Sequence, residues 1–346
     1  MKWTLEFEDL DKACIAEAGM KCANLGELAK IGVPVPPGFV VSAAALDLFL
    51  KKTGAGEKIN EKLRGFIKGP KEIGEYEELS RTLTQIIVSG EIPAEIQESI
   101  LLAYKRLCSK CNRSNLPVAV RSSGCSEDLP TAAFAGQYES YLNVRGETEL
   151  SDRVRDCWAS LFTARVISYR LKNDMPIIDQ LMGVIVQRLV DARSAGVAFT
   201  ALPSTGDLAW IMLEGNWGMA ESVVQGIVSP DKYYVNKKTL SIEEKSISQK
   251  LRQYLLSEKG TKEEEITADM QAIPCFSDEE AIKIAEIAKI IESHYDAPQD
   301  IEWAIERDLP FPENIFFVQT RPITTLKKKS GTDQIIDFML SKFIHK

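Results

Sequence analysis

Residues 299–305, QDIEWAI, and 314–322, NIFFVQTRP, are two runs rich in apolar, β-branched and aromatic residues, joined by ERDLPFPE, whose charges and prolines suit neither a strand nor a helix interior. They predict an antiparallel hairpin. Side chains on a strand alternate with a period of two, so Asp300 and Glu302 share one face of the first run, and Gln319 and Arg321 share one face of the second. If those faces coincide, two carboxylates, an amide oxygen and a guanidinium converge. Hard oxygen donors of this kind suit Mg2+, which takes few protein ligands and leaves its other positions to water and phosphate. An arginine beside them holds phosphate oxygens bidentately. From these residues alone, a surface hairpin with a salt bridge is the plainer reading.

A second segment shifts that balance. RSSGCSEDLPTAAFAGQYESYLNV, residues 121–144, follows the apolar run VAV and packs so many small residues that a long loop is expected rather than a helix or a clean strand. Arg121 followed by small residues, which let backbone N–H groups approach closely, reads as an anion cradle, and Gly136 with Gln137 adds a second tight point. The segment matches neither GxxxxGK[ST] nor GxGxxG. The residues by themselves reach a phosphate-binding loop and no further.

The remainder frames these two segments. A chain of 346 residues with 45% hydrophobic content buries its own core and suggests two domains or one two-lobed domain. KCANLGELAKIG and SAAALDLFLKK read as helices on either side of a strand in PVPPGFVV, an α/β lobe. SDRVRDCWASLFTARVISYRLKN reads as one long amphipathic helix that buries Val154, Trp158, Leu161 and Phe162. From Met182 onward, MGVIVQRLV, AGVAFTAL, LAWIMLEG and KYYVNK are short β-rich runs, expected to form a mostly antiparallel sheet. The first lobe is therefore assigned to 1–183 and the second to 184–326. Between Lys238 and Asp278 the chain is charged, and surface loops with a short helix are expected. SDEEAIKIAEIAKIIES is a helix opened by a Ser277–Glu280 capping box, with Ala281, Ile284, Ala285, Ala288 and Ile291 as its buried stripe. Residues 327–346 comprise a linker, KKKSGT, and an amphipathic helix with Ile335, Ile336, Met339, Leu340 and Phe343 on one side; its partner surface is its own domain or another chain.

Several classes fall away on composition. A formal net charge of −8 argues against a nucleic-acid surface. No run approaches the ~18 apolar residues of a membrane span, and the first residues lack the order of a signal peptide, so a cytoplasmic protein is expected. Cys14, Cys22, Cys108, Cys111, Cys125, Cys157 and Cys275 are odd in number and scattered, which favours reduced thiols; the lone pair Cys108/Cys111 lacks the second pair of a zinc site.

Taken in order, GMKCANLGEL, GVPVPPGFVVS, VAVRSSGCSEDLPTAAFAGQYESYLNV, LFTARVISYR, SAGVAFT, NWGMAESVVQGIVSPDKYYV, HYDAPQDIEW and FFVQTRPIT resemble the ATP-binding domain of the phosphoenolpyruvate synthase and pyruvate phosphate dikinase family, which rifampin phosphotransferase shares. The resemblance runs from Lys12 to Thr325. It implies an α/β (α+β), two-lobed ATP-grasp-like fold that clamps ATP. It also implies roles: Lys21, Arg121 and Arg321 act on the phosphates, Gly136 and Ser140 line the same cradle with Gln137, Gln187 sits by the adenine, Glu302 and Gln319 ligate Mg2+, and Asp300 assists. Taken singly, Lys21 reads as a solvated lysine and Gln187 as an ordinary strand residue. The chain departs from the family pattern at Met20, Cys125, Leu202-Pro203 and Met219-Ala220, but keeps the charged positions.

In that family ATP phosphorylates a histidine on a mobile domain, which then carries the group to an acceptor. The histidines here are His294 and His345, and neither has the expected Thr-Ser-His surroundings. The resemblance therefore implies a phosphotransferase subunit that works with a histidine-bearing phosphocarrier partner, releases AMP, and serves phenol, as in phenylphosphate synthase, or pyruvate. A non-catalytic ATP-sensing module, or a domain cut from a single-chain phosphoenolpyruvate synthase or rifampin phosphotransferase, are the other readings.

Overall fold

A computed structural model describes residues 2–67, 72–125, 139–258 and 260–323. Gly136 and Gln137, the expected linker and terminal helix, and His345 lie outside the described residues.

The described chain is α+β and divides into two compact units, Met1–Val190 with Leu256–Lys262, and Asp191–Leu255 with the chain from Glu263 onward. In the first, the order is β1 (Thr4–Glu6), α1 (Ile15–Ala18), α2 (Met20–Lys30), β2 (Gly38–Val41), α3 (Ala43–Lys52), α4 (Ala55–Phe66), α5 (Ile73–Val88), α6 (Ala94–Lys110), β3 (Val118–Gly124), β4 (Ser140–Val144), α7 (Gly146–Ala159), α8 (Ala164–Lys172) and β5 (Met182–Arg188). The strands form a five-stranded sheet in the order β1-β2-β5-β3-β4, with every neighbouring pair antiparallel.

Both faces of that sheet are covered, which is why its central strands read as unbroken apolar runs. On one face Phe39, Val41, Val118, Val120, Val184 and Val186 pack on the α3–α8 layer, where Phe49 and Trp158 meet at 5.1 Å between ring centroids. On the other, Val40 and Ile185 pack beneath Ala18, Cys22 and Leu25 of α1 and α2. The run 151–173 is two helices rather than one. A 3-10 turn at Ser160–Phe162 ends α7, and the Thr163 hydroxyl accepts from the Val166 N–H to start α8. Val154, Trp158, Leu161 and Phe162 are nonetheless all buried.

The second unit contains β6 (Ala192–Phe199), β7 (Trp210–Trp217), α9 (Glu221–Val224), β8 (Asp231–Asn236), β9 (Ile242–Ser246), β10 (Arg252–Leu256), β11 (Thr261–Glu265), α10 (Asp278–Tyr295), β12 (Gln299–Glu306) and β13 (Ile315–Pro322), except that Leu256 of β10 and Thr261 and Lys262 of β11 count with the first unit. Its main sheet is six-stranded, antiparallel, and ordered β13-β12-β6-β7-β8-β9. One face buries Tyr233, Ile301, Trp303, Ile305 and Phe317, with Phe276 seated against Tyr233 and Trp303 at 4.5 and 5.0 Å. Helix α10 carries the expected capping box, Ser277 Oγ accepting from Glu280 N–H and Glu280 accepting from Ser277 N–H, and its stripe is buried.

Two placements differ from the sequence reading. Residues 184–188, assigned above to the second lobe, belong to β5, which pairs between β2 and β3 of the first unit. An apolar run identifies a strand but not its neighbours, because pairing is non-local. Between Lys238 and Asp278, β9, β10 and β11 stand where a short helix was expected. No helix among the described residues is long and apolar enough to cross a membrane.

Candidate functional site

The hairpin forms, and its register settles whether the two faces coincide. Asp300 lies opposite Arg321 and Glu302 opposite Gln319, so all four side chains share one face of β12–β13. Simple alternation would not have produced this, since Ile315, Phe317, Gln319 and Arg321 have one parity and the first two are buried. The register shifts between Glu302 and Trp303, leaving Val318 as an extra residue on β13. Trp303 then pairs with Phe317 toward the core, while Gln319 and Arg321 turn to the other face.

Arg321 is held rather than loose. Its Nε and Nη2 donate to Asp300 Oδ2 at 2.9 and 2.8 Å. Between Gln319 and Arg321 the buried Thr320 hydroxyl donates to Gln299 Oε1 at 2.9 Å, and the Gln299 N–H donates to Thr200 Oγ1 at 2.8 Å. These core-side bonds fix the backbone from which the polar face projects. Further along the same face, beyond Val197 of β6, Glu214 accepts from Lys232 at 2.6 Å, and that bond raises the lysine pKa above its ordinary value.

In the first unit, register again groups the expected residues. Arg121 is opposite Ser140, and Gln187 is opposite Ala119, two positions from Arg121 on β3. Strand periodicity puts Arg121, Ser140 and Gln187 on the face that α2 covers, and Lys21 lies in the first turn of α2. Burial pushes the Cys157 thiol pKa up, and the Lys21 ammonium is among the charges that act on it in the opposite sense. That thiol faces the Val120 carbonyl at 3.9 Å. Gln187 is buried, and its Nε2 donates to the Pro36 carbonyl at 3.0 Å.

The expected loop is partly strand: Arg121–Gly124 completes β3 and Ser140–Val144 is β4, tied by Ser122 Oγ donating to the Glu139 carbonyl at 2.8 Å. Two residues passed over in the sequence reading stand next to candidates, Thr320 and Ser123. Ser123 shares a parity with Arg121, the signal that could have singled it out. His294, in the last turn of α10, lies against Tyr295 and beside none of the candidates in sequence or register.

The family model described as "Pyruvate phosphate dikinase, AMP/ATP-binding domain" matches residues 15–342. A probable phosphoenolpyruvate synthase of Methanothermobacter thermautotrophicus is 41% identical over 97% of this chain, which spans 48% of that protein. The phosphoenolpyruvate synthase of Pyrococcus furiosus is 36% identical over 96% of the chain and is spanned over 45%. A probable phosphoenolpyruvate synthase of Methanocaldococcus jannaschii is 40% identical over 95% and is spanned over 27%. The chain thus covers half or less of the length of these curated relatives.

Proposed function

This chain belongs to the pyruvate phosphate dikinase AMP/ATP-binding domain family, and from that premise we propose that it binds Mg-ATP and passes a phosphoryl or pyrophosphoryl group to a histidine outside these residues. The single observation that carries the reading is the hairpin register, which sets Glu302 beside Gln319 and Asp300 beside Arg321. The donor set suits Mg2+: one carboxylate and one neutral amide oxygen on adjacent strands, leaving most coordination positions for water and phosphate.

In this proposal Glu302 and Gln319 hold Mg2+, which screens the phosphate charge. Arg321, oriented by Asp300, takes phosphate oxygens, as do Arg121 and Lys21, with Ser140, Gly136 and Gln137 completing the cradle and Gln187 near the base. Such transfer rests on positioning and neutralisation, so no side-chain base is needed on this part. Attack of the acceptor imidazole on the β-phosphorus breaks its bond to the α-phosphate oxygen and releases AMP. The relatives' greater length favours a histidine carried on a further stretch of chain or on a partner subunit. The acceptor beyond it is pyruvate or, in a phenylphosphate synthase-like arrangement, phenol, and the setting is cytoplasmic.

The test uses ATP labelled at the β- and γ-phosphates, Mg2+ and, as the candidate acceptor, the part of the Methanothermobacter relative that this chain does not span. Labelled acceptor protein with AMP as the nucleotide product is expected. ADP as the sole nucleotide product would overturn the dikinase reading, and binding with no transfer would leave a nucleotide sensor.

A further inference from the structure

Helix α2, whose first turn carries Lys21, begins at a residue that cannot cap it. Gly19 occupies the N-cap position and offers no side-chain acceptor. The first-turn N–H groups of a helix have no partner within it. One of them, on Cys22, instead donates to the buried hydroxyl of Ser123 at 3.2 Å, a residue 101 positions away on β3.

The fit around this bond is close. Gly19 has φ of +84°, and a Cβ there would stand 2.1 Å from the Ser123 carbonyl oxygen and 2.3 Å from its hydroxyl. Gly183 pairs with Ser123 in register, and a Cβ on it would stand 2.1 Å from the Ala18 carbonyl oxygen. The turn between α1 and α2 therefore rests backbone to backbone on β3 and β5, with no side chain as a spacer. Ser123 lies two residues from Arg121 on the same strand face.

We propose that Ser123 is a positioning residue: its hydroxyl caps α2 from across the sheet and aims Lys21 at the face that carries Arg121. The inference rests on Lys21 being a phosphate ligand, as in the function proposed above. One strand then supplies one phosphate-binding cation and holds the helix that supplies the other, so the two cannot drift apart independently.

Calorimetry of Mg-ATP on the full chain, with Ser123→Ala, Lys21→Met and the double variant, tests it. Ser123→Ala is expected to weaken Mg-ATP binding about tenfold, the scale of a lost cap, while adenosine binding is unchanged. In the Lys21→Met background the same change is expected to matter less than about twofold, because its effect runs through the lysine. Additive losses, an equal loss for adenosine, or a Ser123→Ala protein that binds like wild type would each overturn the proposal. If Ser123→Ala does not fold, Ser123→Cys, of similar size but a weak acceptor, enters the same cycle. Wild type that does not bind Mg-ATP, or Lys21→Met that binds it normally, defeats the underlying reading instead.

Discussion

Asp300 and Arg321 face each other across β12 and β13, and two guanidinium nitrogens reach the same carboxylate oxygen, at 2.9 and 2.8 Å. The pair is partly exposed, so its direct worth to folding is small. Its consequence is orientation of the guanidinium.

Asp300→Asn removes the charge but keeps the shape. Mg-ATP affinity is expected to fall about tenfold while unfolding free energy changes by less than about 1 kcal/mol. Calorimetry and urea unfolding check the two, and a stability loss without an affinity loss would contradict an orienting role.

Deleting Val318 removes the bulge but places Gln319 directly after Phe317, so plain alternation then keeps Phe317 inward and Gln319 and Arg321 on the polar face. The pairings of Glu302 with Gln319 and of Asp300 with Arg321 are expected to survive, and the unfolding free energy to change by less than about 1 kcal/mol. Urea unfolding reads it; a loss of about 3 kcal/mol or more would show that the bulge itself is required.

Lys250 and Asp231 form an ion pair with both side chains at 0% exposure and 2.6 Å apart. The carboxylate also accepts the N–H groups of Ser248 and Cys275, both at 2.9 Å, so it staples β8 to two segments. Lys250→Met strands this charge and is expected to cost about 3–5 kcal/mol. Lys250→Met with Asp231→Asn keeps an acceptor without the charge and should recover part of that loss, as measured by chemical unfolding.

Burial raises the pKa of the Cys157 and Cys275 thiols, Cys275 well above the ordinary value. A group whose folded pKa is raised stabilises below its unfolded pKa. The unfolded chain therefore sheds these protons first, and stability should decline as pH rises past about 8.5. Both thiols should also stay unreactive to a disulfide reagent at pH 8 until the protein unfolds. Replacing both with alanine should flatten the alkaline slope; an unchanged slope would assign it to other groups.

Local features were legible because their causes are local. The Ser277–Glu280 box, the stripe of α10, and the two strands flanking ERDLPFPE follow from capping chemistry and short-range periodicity. The resemblance carried by VAVRSS and VQTRP led to the family that the comparison then matched over residues 15–342. The split of the helix over 151–173 was less visible, since Thr163 reads as an ordinary helical residue until its hydroxyl is seen capping the next turn.

What the sequence determined by itself was the kind of chemistry available: oxygen donors and an arginine in one hairpin, a lysine and an arginine near small residues. Only the tertiary structure decided which of them meet. Strand β5 joined the first unit, Val318 was displaced to reconcile a buried Phe317 with an outward Gln319, and Ser123 capped a helix more than a hundred residues before it. The reason is energetic. Burying Phe317, Trp303 and the paired backbone outweighs any local preference for strict alternation, and those gains depend on partners that no short window of sequence contains.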